Sequence, residues 1–211
     1  PPAGRVRIAA PSGMSLETIR LFAISKLGWI RRQQKKLLGQ ERETRREFLN
    51  RESHYVWGRR LLLKVVEEDA PQGVQVRHDT LLLRVRPGAD AAAKAAVLAA
   101  WYRQILREAA QPLIEAWEPR LSVELDRFFV QQMKTKWGSC NPAARSIRLN
   151  TELARKSPRC LEYIVVHELI HLLERRHNER FIGLMDRHLP HWRALRDELN
   201  AAPLAHTTWA Y

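Results

Sequence analysis

The chain has 211 residues, of which 45% are hydrophobic and 28% are charged, a composition typical of a soluble globular protein. Its 36 lysines and arginines exceed its 23 aspartates and glutamates, and the formal charge of +13 keeps nucleic acid among the possible partners. Two cysteines are too few for a secreted disulfide framework, and neither a membrane-spanning run nor a signal-type apolar core is present, so we expect a cytoplasmic protein with no membrane partner.

Residues 1–88 are predicted to form an N-terminal β-rich subdomain that carries one long helix. Alternation and turn residues predict the strands, and an apolar stripe with a serine cap predicts the helix. The predicted elements are a strand at residues 6–10, a helix from Ser15 to about residue 48 with an interruption near Gly28, and strands of a small antiparallel sheet at residues 55–67 and 74–86, with a turn at residues 78–80.

Pro87-Gly88 is the predicted boundary, and residues 89–211 are predicted to form a second domain. Two of its strands, at residues 123–133 and 146–150, are expected to form a hairpin just before a buried helix. The predicted elements are a helix from Asp90 to about Trp117 with a kink at Pro112, the two strands with a turn at residues 134–142, and helices at residues 158–175, 178–189 and up to Asn200.

The helix at residues 158–175 contains the sequence His-Glu-x-x-His, and a third histidine, His177, follows it. Residues i and i+4 share one face of a helix, so His167 and His171 can direct their imidazoles toward one metal ion. Glu168 lies close enough to reach a water molecule on that metal. The pattern is typical of zinc hydrolases. The alternative, two histidines satisfied within a core, is disfavoured because buried polar groups are costly without partners.

Several motifs around this helix resemble the YgjP-like family of metal-dependent hydrolases, which is grouped with SprT-like and WLM zinc peptidases. Residues 6–29 and 56–60 are similar to the family too, so the resemblance covers nearly the whole chain. The motifs are Lys-Trp-Gly-Ser-Cys at residues 136–140, Arg-Leu-Asn at 148–150, the histidine segment at 166–171, residues 177–181, and Leu-Pro-His-Trp at 189–192.

The resemblance implies an α+β, zincin-like metallopeptidase domain in which the histidine helix lies beside a small antiparallel sheet. It implies that His167, His171 and His177 bind Zn²⁺ and that Glu168 is the catalytic carboxylate. Related zinc peptidases take a glutamate from a later helix as third ligand, which leaves Glu198 as the alternative to His177. The family usually has a further strand before this chain begins, so we expect a missing N-terminal segment.

Hydrolysis at such a site needs a donor for the developing oxyanion. The sequence offers candidates without selecting among them. Ser139 and Cys140 are expected to shape a turn rather than to act as nucleophiles, because no further histidine partner is indicated. A strand at residues 146–150 could pair with a peptide if it lies at a sheet edge. The possible substrate or oxyanion contacts are Lys136, Arg148, Asn150, Tyr163, His188 and His191.

The leading hypothesis is a zinc metallopeptidase that cleaves a peptide or protein with metal-activated water and Glu168 as general base. One alternative is a nucleoside triphosphate pyrophosphatase, which the arginine excess would suit, although the chain lacks a phosphate-binding glycine-rich loop. Another is a DNA-associated protease of the SprT or WLM kind, held on DNA by the positive charge. The choice of a peptide bond rests on the resemblance alone.

Overall fold

The computed structural model describes residues 6, 8–38, 47–133 and 136–201, and these fall into two units. The first unit contains the described residues up to 38, and the second contains those from 47 onward. The boundary predicted between residues 88 and 89 lies inside the second unit, and the division into 1–88 and 89–211 stays a prediction.

The first unit contains two short helices, α1 (Leu16–Ser25) and α2 (Leu27–Leu38). The predicted cap is confirmed, because the Ser15 side chain accepts a hydrogen bond from the Thr18 amide at 3.2 Å. The interruption lies at Lys26, two residues before Gly28. The predicted continuation through residues 39–46 lies outside the described residues.

The strand predicted at residues 6–10 is wrong for the part that the structure describes, since residue 6 and residues 8–10 pair with no described strand. A strand depends on hydrogen bonds to a neighbour for its stability, and weak alternation alone does not supply one. The second unit therefore holds all the described strands.

The first sheet consists of β1 (Ser53–Val56), β2 (Arg59–Glu67), β3 (Gly73–Arg77) and β4 (Thr80–Val85), in the order β1-β2-β4-β3. It is mixed rather than antiparallel, because β2 and β4 run parallel. The predicted strand at residues 55–67 is divided by a tight turn at Trp57 and Gly58, whose φ angles are 51° and 78°. Positive φ at both central residues is the hairpin-turn pattern that joins antiparallel strands.

The second sheet consists of β5 (Arg127–Gln131), β6 (Gly138–Asn141) and β7 (Ser146–Asn150), in the order β5-β7-β6. The predicted hairpin between residues 123–133 and 146–150 is wrong: β5 runs parallel to β7, and the hairpin is formed by β6 and β7. Residues 138–141 were predicted as part of a turn because glycine, serine and asparagine favour turns. They form instead a short strand at the edge of the sheet.

The long helix α3 (Ala91–Leu121) packs against both sheets, contacting β3 and β4 in the first and β5 in the second. The predicted cap is confirmed, since Asp90 Oδ1 accepts a hydrogen bond from the Ala93 amide at 2.7 Å. Pro112 lies within the helix, which continues four residues beyond the predicted end at Trp117. One buried cluster unites leucines of the first sheet with the buried face of α3 and with the histidine helix.

The histidine helix is α4 (Pro158–Ile170), which follows a short 3-10 helix (Thr151–Arg155) and precedes α5 (Glu179–His188) and α6 (Trp192–Ala201). It ends five residues before the predicted end. The Leu172 and Leu173 amides bond to carbonyls three residues back, and such bonds tighten a final turn. The predicted α+β class is confirmed, with mixed sheets. Among the described helices, none has both the length and the apolar character of a membrane span.

Candidate metal centre

Helix α4 presents two histidines and a glutamate at its C-terminal end. His167 lies in its last turn, and His171 follows the helix with a helical backbone of φ −65° and ψ −15°. The i and i+4 relation therefore survives the end of the helix, and the two ring centroids lie 4.9 Å apart. All residues from 160 to 170 except Glu162 and His167 are buried, and this burial holds the end of the helix against the core.

The third histidine reaches the same point after the chain turns beyond α4. The His177 ring lies 5.0 Å from that of His167 and 4.8 Å from that of His171. Phe181, in the first turn of α5, contacts all three rings at centroid distances between 4.7 and 5.0 Å. Asn178 caps α5 by accepting a hydrogen bond from the Phe181 amide at 3.0 Å, and so fixes this aromatic support.

One nitrogen from each histidine lies within 4.8 Å of the other two. Within the described part of the chain, this is the one cluster of three or more histidine, cysteine or acidic residues with such spacing. The alternative ligand Glu198 lies outside it, with its carboxylate 3.4 Å from the Cys160 Sγ. Cys160 precedes His167 by seven residues, which is about 10 Å along a helix axis.

The three imidazoles fit Zn²⁺ in distance and in protonation. Tetrahedral Zn–N bonds place ligand nitrogens about 3.3 Å apart, and the Nε2 atoms of His167 and His177 are 3.1 Å apart. His171 Nδ1 lies 2.9 Å from the Glu174 carbonyl oxygen, to which it can donate, leaving Nε2 free for a metal. Burial lowers the pKa of His167 to about 3, assisted by the other two histidines, and burial also lowers the pKa of His171. Neutral imidazole is the form that binds metal.

Glu168 is buried beside this cluster, with only 5% of its surface exposed. Burial raises the pKa of its carboxyl group to about 8, and the charge of Lys136 opposes the shift. A divalent cation nearby would favour the ionised form, so the charge state of the carboxylate depends on the metal.

Gly138, the first residue of β6, lies directly against the Glu168 carboxylate. A Cβ atom at position 138 would lie 2.6 Å from Glu168 Oε1, which is closer than van der Waals contact allows. Any larger residue would displace the carboxylate. Sequence reasoning did not find this role, although a glycine inside a strand is a known sign of close approach.

A cavity of about 510 Å³ opens over the histidines and Glu168. Its walls come from residues 136–142, one face of α4, the turn after α4, and α6. The residues that α6 contributes were not predicted: Arg196, Leu199 and Asn200 follow the i, i+3, i+4 spacing of one helix face. That spacing is visible in the sequence, but nothing there indicates which face of α6 turns toward the histidines.

Two of the predicted substrate contacts, Lys136 and Tyr163, line the cavity, whereas Arg148, His188 and His191 are not among the residues of its wall. The Arg148 guanidinium lies 5.6 Å from the centroid of the Phe129 ring. His188 is half-buried at the end of α5, and His191 is exposed just before α6.

Asn150 is also absent from the cavity wall, but it supports that wall from behind. Its side-chain amide donates to the carbonyls of Met133 at 2.9 Å and Lys136 at 2.7 Å. Its side-chain oxygen accepts from the amides of Met133 at 3.3 Å and Glu152 at 3.2 Å. A side chain engaged in this way is committed to the backbone that leads into β6.

The second sheet corrects two further predictions. Strand β7 is central, with β5 on one side and β6 on the other, so a peptide cannot pair with an edge at residues 146–150. Ser139 and Cys140 belong to β6 rather than to a turn, and both line the cavity. Burial, together with the charge of Glu168, raises the pKa of Cys140 to about 11, so its side chain remains a thiol at neutral pH.

Comparison with known proteins places this site in a family. The sequence model of the YgjP-like metallopeptidase domain family matches residues 1–202 of this chain. The chain therefore belongs to the YgjP-like metallopeptidase family, and it is a metal-dependent hydrolase. No curated protein matches the chain.

Two solved structures resemble part of the chain. The metallopeptidase zymogen jannalysin of Methanocaldococcus jannaschii is 20% identical, with a TM-score of 0.39, over 43% of this chain and 92% of that one. The metallopeptidase zymogen abylysin of Pyrococcus abyssi is 18% identical, with a TM-score of 0.40, over 43% of this chain and 90% of that one.

Proposed function

We propose that this metallopeptidase holds Zn²⁺ through His167, His171 and His177 and cleaves peptide bonds with Glu168 as general base. The observation that carries the proposal is the convergence of three imidazole nitrogens beside a buried carboxylate. Zn²⁺ supplies Lewis-acid chemistry, which lowers the pKa of water and polarises a carbonyl group.

Glu168 performs the proton transfers in this proposal. Its carboxylate accepts a proton from the attacking water and returns it to the leaving nitrogen, the two roles of a general base that then acts as acid. Gly138 sets the distance between this carboxylate and β6, because no side-chain atom intervenes. The base is therefore held by packing and has little freedom to turn away.

Lys136 and Tyr163 are the predicted contacts that line the cavity, and they are the candidates for stabilising the oxyanion. Burial raises the pKa of Tyr163 to about 12, so its hydroxyl remains protonated and can donate a hydrogen bond. The Tyr163 and His167 rings meet in an edge-to-face arrangement, with their centroids 5.8 Å apart. Tyr163 is thus a neutral donor beside the ligands, and Lys136 is a charged one beside the base.

We infer that the peptide adds to β6 rather than to β7. Strand β6 pairs with β7 on one side and with no described strand on the other. Three of its residues, Gly138, Ser139 and Cys140, line the cavity. An extended peptide hydrogen-bonded along this edge would carry its backbone past Glu168.

The test compares two identical substitutions on α4, Glu168→Gln and Glu162→Gln. We expect Glu168→Gln to lower the rate of peptide hydrolysis by about 10²-fold to 10⁴-fold. Its zinc content, measured by elemental analysis, should stay unchanged. Glu162 accepts a hydrogen bond from Trp117 Nε1 at 3.1 Å and does not line the cavity, so Glu162→Gln should retain activity. Hydrolysis by Glu168→Gln at close to the wild-type rate would contradict the role of the base.

A further inference from the structure

Basic side chains reach the cavity from three separate segments of the chain. Lys136 precedes β6, Arg175 lies in the turn after α4, and Arg196 lies on α6. Among the described lining residues, Glu168 is the one acidic side chain. The wall therefore carries an excess of positive charge, and its single carboxylate is already assigned to proton transfer.

Two of these basic groups, Lys136 and Arg175, form no close ion pair among the described residues. No ion pair in that part of the chain involves Lys136 or Arg175. Both side chains are exposed. The charge of Arg175 is therefore available to a ligand in the cavity, whereas the charge of Lys136 acts on Glu168 as well as on a ligand.

Arg196 is held in place by its own neighbours. Its guanidinium lies 3.0 Å from the carboxylate of Asp197 and 5.3 Å from the centroid of the Trp192 ring. The side chain remains 45% exposed. A planar guanidinium held over an aromatic ring retains free donors for a second carboxylate.

We propose that the substrate is an acidic peptide, whose carboxylate side chains on either side of the scissile bond meet Lys136, Arg175 and Arg196. This inference rests on the proposed function. The apolar part of the wall, which includes Trp137, Ile164 and Leu199, suits the backbone and the uncharged side chains of such a peptide.

The placement of the charges favours a peptide over a nucleotide. A triphosphate concentrates its charge in one small group, which proteins bind with clustered arginines or with a run of backbone amides at a glycine-rich loop. Here the basic groups lie just before β6, in the turn after α4 and on α6. Gly138 is the one glycine among the described lining residues, so the wall has no glycine-rich loop to hold a triphosphate.

The experiment uses three fluorogenic peptides that differ only at the positions flanking the scissile bond, with Glu, Gln or Lys there. The zinc-loaded full chain should cleave them in the order Glu, Gln, Lys, with kcat/KM for the Glu peptide about 10-fold or more above that for the Lys peptide at low salt. The preference should shrink in 0.5 M salt, because exposed charges are screened.

Charge reversal identifies the residues responsible. Arg175→Glu and Arg196→Glu should each lower the Glu-to-Lys preference about 3-fold or more. Arg103→Glu makes the same change in net charge on the exposed surface of α3, away from the cavity wall, and should leave the preference unchanged. An equal loss of preference in all three variants would overturn the proposal, since it would reflect net charge alone.

Binding provides a readout that does not require turnover. In the Glu168→Gln background, fluorescence anisotropy should show the Glu peptide binding tighter than the Lys peptide, and adding Arg175→Glu should reduce that difference. Cleavage of all three peptides at equal rates would overturn this proposal and leave the proposed function intact. Selective binding of the Glu peptide by a protein that cleaves no peptide would support the recognition and overturn the proposed function. Hydrolysis of a nucleoside triphosphate, with no peptide bound or cleaved, would overturn both.

Discussion

The two sides of the cavity are built in different ways. On one side, α4 and the turn after it present His167, His171 and His177, whose side chains carry the chemistry. On the other side, β6 presents Gly138, Ser139 and Cys140, and the Asn150 side chain bonds to the backbone that leads into this strand. The first side supplies the imidazole groups, and the second supplies the close backbone approach at Gly138 and the hydrogen bonds behind it.

This difference predicts two kinds of failure. Damage to the histidine side should remove the metal, whereas damage to the β6 side should leave the metal in place and misplace the groups around it. The three substitutions below test that separation, beginning with the largest expected effect.

Replacing a helix ligand should abolish metal binding. We expect His171→Ala to weaken zinc binding by more than about 100-fold, because loss of a direct ligand exceeds the loss of a hydrogen-bonded partner behind one. Elemental analysis after dialysis against a weak chelator would measure this, and peptidase activity should fall to background. His191→Ala, at an exposed histidine outside the cavity wall, serves as the control and should keep its zinc. Equal zinc content in both variants would remove His171 from the ligand set.

A methyl group added on the β6 side should separate activity from metal binding. We expect Gly138→Ala to reduce kcat about 100-fold or more with zinc content unchanged, because a displacement of about 1 Å in a catalytic group has that effect. Gly183→Ala is a matched control in α5, where an added Cβ would meet nothing within 4 Å. It should be neutral or slightly stabilising, since alanine favours helix. Loss of zinc from Gly138→Ala would contradict the prediction that changes on the β6 side leave the metal in place.

Removing the hydrogen bonds that Asn150 makes behind β6 should affect the free energy of unfolding more than the catalytic rate. Asn150 is 5% exposed and takes part in four side-chain hydrogen bonds, so Asn150→Ala should lower the free energy of unfolding by about 1–3 kcal/mol. Urea denaturation followed by circular dichroism would measure it. Asn141→Ala removes one exposed turn hydrogen bond and should cost less. Equal losses in the two variants would show that Asn150 supports nothing beyond its own turn.

The sequence predicted the histidine side well because its signal is local. The i, i+4 spacing predicts that His167 and His171 lie together, the family resemblance implied His177, and the structure places the three nitrogens in one cluster. Caps at Ser15 and Asp90 were predicted for the same reason, since each depends on a side chain and an amide three residues apart.

The β6 side was predicted poorly because it depends on pairing between distant segments. Turn-forming residues at 138–141 concealed a strand, and only its register with β7 reveals it. The parallel pairing of β5 with β7 likewise leaves no mark in either strand alone. Asn150 was predicted as a substrate contact, whereas the structure engages its side chain with backbone groups, which no spacing rule indicates.

The hydrogen bond between His171 and the Glu174 carbonyl makes two neighbouring members of the histidine cluster differ from each other. It selects one tautomer of His171 in advance, with the proton on Nδ1 and the lone pair of Nε2 directed at the cluster. His167 Nδ1 is buried and has no hydrogen-bond partner among the described residues, and its Nε2 lies 3.1 Å from His177 Nε2. His171 is therefore oriented by a hydrogen bond from outside the cluster, whereas His167 is oriented by packing against Tyr163 and Phe181 and by its contact with His177.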